Sequence, residues 1–492
     1  MPVSALHPQQ LRLSIDPASL AFANTSELVG QPLPWIGQQR AEQAARFGLN
    51  LHEDHANLFV IDEVGSGCVS LLHDMVREIA ARLPPPPDLC LLLNGDICQR
   101  PQVLRLPAGQ GRLLQQAFTA MQHNFASALP QELTALIDQQ INTLLADFNL
   151  AAPQAEILST FLTQLRQDLC ALPPESDAAS HHGPASKQEV LRRSQVLLAV
   201  DNTDLRGAPV MMEAHPCRLS LFGTVLMPPP GQVVATPSID AGSLLRTDGG
   251  FLLLHLRDLL VDAPLLEQFY RWLRSGLVPI AQQASEPGAA SRSPLLVASR
   301  VKILLFGTRA QYQDLQHSDP ALLNHFQVLV DFSESFIATP ASYQATAVFI
   351  AHTCQQRNLP QCSAAAVARL LELSHRLAED QRRQSALFSR FKTLLVESAA
   401  ACQQRRGRVM EAADVEHGWQ QRRRRHDYLQ QRLCEAIADG EMLISVAGQQ
   451  VGQVNGLTII DLDENGFGLP VRVTARVHAG EEGLINIDHE VA

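Results

Sequence analysis

Residues 62–69 read Asp-Glu-Val-Gly-Ser-Gly-Cys-Val and follow a short apolar run. Glycines at that spacing let successive backbone N–H groups and a helix N-terminus cradle phosphate oxygens. The full-strength loop has the form G-x-x-x-x-G-K-[ST], in which the lysine neutralises phosphate charge and the hydroxyl ligates Mg²⁺. Here Asp62 stands at the first glycine position, Gly65 and Gly67 keep the turn, Cys68 takes the lysine position and Val69 the hydroxyl position. Gly65, Ser66, Gly67, Cys68 and Val69 are therefore candidate phosphate-contacting residues that lack the cation and the metal ligand. The chain has three lysines, Lys187, Lys302 and Lys392, and none is near this loop in sequence.

The metal-side carboxylate of such a site follows four apolar residues at a strand end. In the stretch GGFLLLHLRDLL, residues 249–260, His255 occupies that position, and Asp258 reaches it only if the register slips. Two signatures thus fail in the same direction. His181 and His182 lie in a polar Ser/Ala/Pro-rich loop and read as solvated. The nine cysteines show no C-x-x-C pair and no histidine at zinc-ligand spacing, so they read as reduced thiols, with no structural metal. The run Arg422 to Arg425 reads as the solvated face of a helix, with nucleic-acid contact as the minority alternative.

The elements that position these residues follow from periodicity. Residues 36–51 carry Ala41, Ala44, Ala45 and Leu49 at helical spacing, and NLFVI at 57–61 suits a buried parallel strand. Leu71, Leu72, Met75, Val76, Ile79, Ala80 and Leu83 form one helical stripe, stopped by Pro84 to Pro87. Strand, glycine loop and helix come in P-loop order. Residues 89–96 read as a second buried strand. Residues 112–172 carry long amphipathic patterns, read as a helical insertion in the form of a hairpin. Strand signals return in VLLAVDN, FLLLHLRDLL and VKILLFGT, which predicts a mostly parallel α/β sheet. Residues 285–293 read as a further flexible insertion. From 341 to 428 the pattern is all helical, with Ser363 as an N-cap and Gly407 ending a helix. After Gly440 short β-like runs with glycine turns begin.

At 492 residues the chain is long enough for about three domains. Apolar residues at 46% and charged residues at 18% indicate a globular chain, and a formal charge of −11 argues against a general nucleic-acid binder. No basic leader and no apolar stretch of membrane-spanning length occurs, which gives a cytoplasmic expectation with no membrane partner.

Several motifs in order, IGQQRAEQAARFGL, the glycine loop, NGDICQRPQVLRLPAGQGRLL, VDNTDLRGAPVMMEAHP, LFGTV, AGSLLRTDGGFLLL and VKILLFGT, resemble the bacterial Lon-like ATP-dependent proteases. In that branch an AAA+ module with a helical insertion precedes a Lon protease domain. LSHRLAEDQRRQS resembles its lid, and residues 452–490 resemble the opening strands of its protease domain. The resemblance implies a P-loop NTPase-like parallel sheet with a helical insertion, an all-α lid and the first protease strands. The implied divisions are an N-terminal segment 1–35, core 36–111, insertion and polar loop 112–195, core 196–340, lid 341–428 and protease start 429–492.

The resemblance further implies a hexameric homo-oligomeric ring that spends ATP with Mg²⁺ to handle protein substrates, and a Ser–Lys dyad that cuts them. The dyad lies downstream of the strands seen here, so no catalytic residue of it falls in this chain. The chain's end inside a strand pattern favours an N-terminal part of a longer protein over a truncated gene product. Gln38 and Arg40 match the motif ahead of the loop, Gly307 and Thr308 the polar sensor position, and Arg376 the lid arginine that faces nucleotide. No arginine occurs in 319–326, where an arginine finger is sought. The departures gather on the nucleotide, so the implied protein keeps the AAA+ scaffold with impaired ATP binding and hydrolysis. The alternative is a non-enzymatic ring-forming scaffold or substrate adaptor.

Overall fold

The computed structural model describes residues 13–51, 53, 56–62, 67–93, 102–128, 133–148, 150–171, 187–227, 238–284, 294–460 and 466–477. The chain divides into two compact units, one of residues 37–336 and one of residues 1–36 with 337–492.

In the first unit, helix α1 (Gln39–Asn50) leads into strand β1 (Leu58–Ile61), and helix α2 (Cys68–Ala80) follows the glycine loop. All four β1 residues are buried, as a strand covered on both faces requires. Next come β2 (Asp88–Leu93), β3 (Gln102–Leu106), helices α3 (Gln110–Ser127), α4 (Leu133–Asp147) and α5 (Ala152–Cys170), then β4 (Gln195–Val200) and β5 (Val210–Met212). The remaining strands are β6 (Thr224–Met227), β7 (Ser238–Asp240), β8 (Phe251–His255), β9 (Leu277–Ala284), β10 (Leu295–Ala298), β11 (Lys302–Gly307) and β12 (Val328–Asp331).

The central sheet has the order β12-β1-β11-β8-β5, with every neighbouring pair parallel. Parallel neighbours cannot be joined by tight hairpins, so each connection crosses over the sheet. A second sheet, β10-β9-β6-β7, shares its core with the first through Phe269, Trp272, Val278 and Ile280.

The strand expected from Leu89 forms, but it does not join the parallel sheet. It is the middle of a separate antiparallel sheet, β3-β2-β4. VLLAVDN, read as part of the parallel α/β pattern, is likewise its antiparallel neighbour β4. The insertion is not a hairpin either: three long helices pack Phe118, Phe125, Leu158 and Phe161 onto Cys90, Leu92, Leu104 and Leu106 of this sheet. The reason is apolar surface. Both faces of β2 are buried, and the apolar stripes of α3, α4 and α5 share the core that covers one of them.

Asp88 ties this subassembly together. Its carboxylate is wholly buried and accepts N–H bonds from Gly109 (2.8 Å), Gly111 (2.8 Å) and Asn202 (2.8 Å). It therefore holds the start of α3 and the exit of β4 to the start of β2. Burial and the nearby carboxylates of Asp88 and Asp201 push the Cys90 thiol up to about 12. Gly111 is required there, because a Cβ would meet Asp88 Cβ at 2.9 Å and Leu198 at 2.7 Å.

In the second unit, Ser363 caps Ala364–Leu377, as the sequence predicts, and Thr339, which the sequence analysis did not single out, caps the helix Pro340–Gln356. Helix Phe388–Gln404 ends one step earlier than expected: Arg406 takes the left-handed φ of 59°, and the Gly407 N–H donates to Cys402 O at 2.8 Å. The segment before residue 37 is part of this unit. Ile15 N–H donates to Glu372, and Thr25 Oγ1 accepts from Cys362 N–H. The basic run is partly consumed, since Arg422 and Arg425 both reach Glu397. Strands Gln453–Ile460 and Phe467–Thr474 form an antiparallel hairpin. Residues 181, 182 and 285–293 lie outside the described residues.

Two outcomes follow. Asp88→Ala orphans three N–H groups and should cost at least about 3 kcal/mol in urea unfolding, with amide exchange at Gly109, Gly111 and Asn202 accelerated first; Asp88→Asn, which keeps one acceptor oxygen, should cost about half as much. Lys302 Nζ donates to Gly48 O (2.7 Å) and Leu51 O, and burial lowers its pKa from 10.5 to about 8. Between those values the unfolded chain binds the extra proton, so this group's contribution to stability rises with pH across the window and is lost as pH falls through about 8. In Lys302→Met that part of the pH–stability slope should vanish, as chemical denaturation across pH 7 to 11 will report.

Candidate functional site

Because the central strands are parallel, their C-terminal ends share one edge, the place where open α/β sheets hold ligands. Across that edge stand Asp331 from β12, Asp62 after β1, Thr308 after β11, His255 at the end of β8 and Glu213 after β5. Asp62 N–H donates to Gly307 O at 2.9 Å, which ties the start of the glycine loop to the neighbouring strand.

Of the predicted phosphate-contacting residues, Gly65 and Ser66 lie outside the described residues. Gly67 sits where expected, as the N-cap of α2 with φ 74° and ψ 12°. Its surroundings leave room for a side chain, so the need for glycine is conformational rather than steric. Cys68 is the first helical residue and is fully buried, packed as a small apolar group. Val69 is half-buried. The first turn of α2 thus offers N–H groups and the helix dipole, with neither an ammonium nor a hydroxyl from these two positions.

His255 ends β8 in register with Phe306, and the two rings lie 5.4 Å apart at 41°. The position of the metal-side acid is taken by an imidazole held against an aromatic ring. Asp258 falls in the first turn of the helix Leu256–Leu260, so no register slip brings it to the strand end. Glu213 Oε2 accepts the Ser243 hydroxyl at 2.8 Å. These residues fit Mg²⁺ poorly, and no cluster able to hold a metal ion is found among the described residues.

Thr308 closes β11 and caps the next helix in a reciprocal box. Its Oγ1 accepts from Gln311 N–H (3.2 Å), and its own N–H donates to Gln311 Oε1 (2.9 Å). The sequence signal for this was the T-x-x-Q spacing. Arg309, which the sequence reading passed over, pairs with Asp331 at 2.6 Å. No sequence signal could have found that pair, because it depends on which strand neighbours β1.

Arg376 belongs to the other unit. It is exposed in the last turn of its helix, with its guanidinium 5.7 Å from the centroid of the Trp419 ring. It lines a cleft of about 600 Å³ with Arg369, Glu372, His375 and Glu416. His375 is buried beside Tyr343, whose hydroxyl lies 3.0 Å from Nε2, and burial lowers its pKa.

Two family profiles match this chain. Residues 206–333 match the profile described as "LonB-like, AAA domain", which takes in β5 through β12. Residues 361–425 match "Archaeal LonB, AAA+ ATPase LID domain". The chain carries a Lon-like AAA+ module.

Two curated relatives agree with the assignment of this AAA+ module. A "Putative Lon protease homolog" of Escherichia coli is 24% identical over 259 residues, covering 51% of this chain and 43% of that protein. A protein of the same description from Haemophilus influenzae is 22% identical over 280 residues, covering 56% and 44%. The AAA+ chain thus spans less than half the length of the curated relatives it matches. Among solved structures, NtrX from Brucella abortus aligns at a TM-score of 0.29 and 13% identity over 42% of this chain and 43% of that one. Its ADP complex aligns at 0.27 and 13% over 58% and 60%. Likeness at that level carries neither fold nor ligand. No helix among the described residues of the AAA+ chain is long and apolar enough to cross a membrane.

Thr308→Ala should destabilise this unit by about 1 kcal/mol through loss of the cap, whereas Thr308→Ser should restore it. Thermal unfolding of the three proteins decides the point.

Proposed function

We propose that this chain is the substrate-handling AAA+ part of a Lon-like proteolytic system, working in the cytoplasm as a homo-oligomeric, hexameric ring around protein substrates, with ATP binding and hydrolysis impaired. One observation supports the impairment most directly: the loop and helix N-terminus stand at the end of β1, yet the lysine position is a fully buried thiol. A lost charge pair near a surface removes on the order of 4 kcal/mol at about 4 Å. That corresponds to more than two decades of affinity at about 1.4 kcal/mol per decade. His255 in place of an acid takes away a metal contact as well.

In this reading the divisions at 35, 111, 195, 340 and 428 mark the N-terminal segment, core, insertion, core and lid. The hairpin Gln453–Ile460 with Phe467–Thr474 is the opening of a protease domain whose Ser–Lys pair is not in these residues. Gly65, Ser66, Gly67 and Thr308 would still line the phosphates.

Calorimetric titration with ATP, with and without Mg²⁺, tests the proposal. The expected result is binding at least about 100-fold weaker than that of the Cys68→Lys/Val69→Thr protein, and indifferent to Mg²⁺ until the pair is introduced. Tight Mg²⁺-dependent binding with turnover in the unaltered protein overturns the impairment. Failure of both proteins to bind, with a ring still seen by mass photometry, replaces this reading by the non-enzymatic scaffold or adaptor.

A further inference from the structure

The opposite edge of the central sheet, where β8 and β11 begin, carries a feature that the AAA+ reading leaves unused. A cleft of about 870 Å³ opens there, within the size range of small-molecule sites. Gly249 to Phe251 and Ser299 to Lys302 form one wall, and the end of the helix Ala263–Ser275 forms another. It lies wholly within residues 37–336 and at the far strand ends from Gly67, His255 and Thr308.

The charge on this cleft runs against that of the chain. Arg105, Arg274, Arg300 and Lys302 line it, against Glu53 and Asp248, while the whole chain carries −11. Asp248 is already engaged: its Oδ2 pairs with Arg105 and its Oδ1 accepts the Arg300 backbone N–H at 2.7 Å. The guanidinium groups of Arg274 and Arg300 have no hydrogen-bond or ion-pair partner among the described residues. Both arginines are exposed.

A second observation comes from the apolar part of the wall. Trp272 is only 4% exposed, yet its indole N–H has no acceptor among the described residues. A buried donor without a partner is unfavourable, and an acceptor brought to it by a ligand in the cleft would relieve that cost. Phe251, Leu273 and Pro86 supply apolar surface beside it. The ammonium of Lys302, which burial holds down to about 8, stands at the same wall and gains from any anion placed there.

We propose that this cleft binds a small amphipathic oxyanion, an organic molecule whose acidic head engages Arg274 and Arg300 and whose apolar body lies along Trp272 and Phe251. Four cationic side chains stand against two carboxylates and lie beside Trp272, Leu273, Phe251 and Pro86, so neither a metal cation nor a neutral sugar suits it. The site is separate from the nucleotide position and does not depend on whether that position binds ATP.

The probe is 8-anilino-1-naphthalenesulfonate, titrated into protein carrying Trp35→Phe and Trp419→Phe, so that Trp272 is the sole tryptophan. Saturable quenching of Trp272 with one probe per chain is expected. Uncharged N-phenyl-1-naphthylamine should bind roughly tenfold more weakly, and Arg274→Ala/Arg300→Ala should lower probe affinity by roughly tenfold or more. If that double variant loses its fold by circular dichroism, raising salt from about 50 mM to about 500 mM must weaken the unaltered protein in its place. Octanoate and octyl phosphate as competitors separate a carboxylate from a phosphate head. Equal binding of the uncharged probe, an unchanged affinity in a folded double variant, an affinity insensitive to salt where it does not fold, or quenching confined to a protein with Trp419 as its sole tryptophan overturns the proposal.

Discussion

Parallel pairing around β1 is the constraint on which the rest of the first unit depends. Leu58 to Ile61 pair residue for residue with β11 on one side and β12 on the other, and all four are buried. A strand so placed has no solvated face, and each parallel neighbour must return by a crossover. Every strand therefore ends at one edge and begins at the other. The gathering of Asp62, Gly67, His255, Thr308 and Asp331 at one edge, and of Asp248, Arg300 and Lys302 at the other, follows from strand direction alone. Neither cluster needs its members to be close in sequence.

The first edge is poorly supplied with positive charge. Arg309 is committed to Asp331, and the three lysines are placed elsewhere: Lys187 donates to Ala128 O, Lys302 holds the end of α1 and Lys392 lies over Phe349. Among the described residues of the loop itself, what is offered to a phosphate is backbone N–H and the partial charge of the α2 N-terminus. A helix terminus contributes about 0.3–1 kcal/mol when exposed and up to about 2 kcal/mol when partly buried. A full charge at contact supplies on the order of 4 kcal/mol. The dipole can orient an anion without replacing the missing ammonium, which is why geometry and chemistry part company at this loop.

Strand β1, the helix after the glycines, the Ser363 cap and the long helices between residues 340 and 426 were all legible in the sequence, because each rests on short-range pattern; the short strands Gln361–Cys362, Arg383–Ser385 and Val409–Met410 among those helices were not. The sheet assignment of β2 and β4 was not. An apolar run buried on both faces reads the same whether its neighbours are parallel or antiparallel. Strand β5 escaped for a different reason: three residues are too few to show a period. At the site, Cys68 and Val69 could be placed by spacing alone. The Arg309–Asp331 pair could not, since it bridges 22 residues and exists only because β12 lies beside β1.

Fold and ligand chemistry make opposite demands at Cys68. The first residue of α2 is fully buried, and a thiol fits there as a small side chain of low polarity. A lysine in its place must carry a long side chain out of that buried position and hold an ammonium out at the loop mouth, giving up packing for charge. With net stability of only about 5–15 kcal/mol, a residue that favours packing at the expense of a ligand contact leaves the fold intact. The residues that hold the scaffold, such as Asp88 with its three N–H donors, touch no ligand position at this edge. The two sets overlap little, so under the proposed reading the AAA+ architecture does not depend on a full-strength phosphate site.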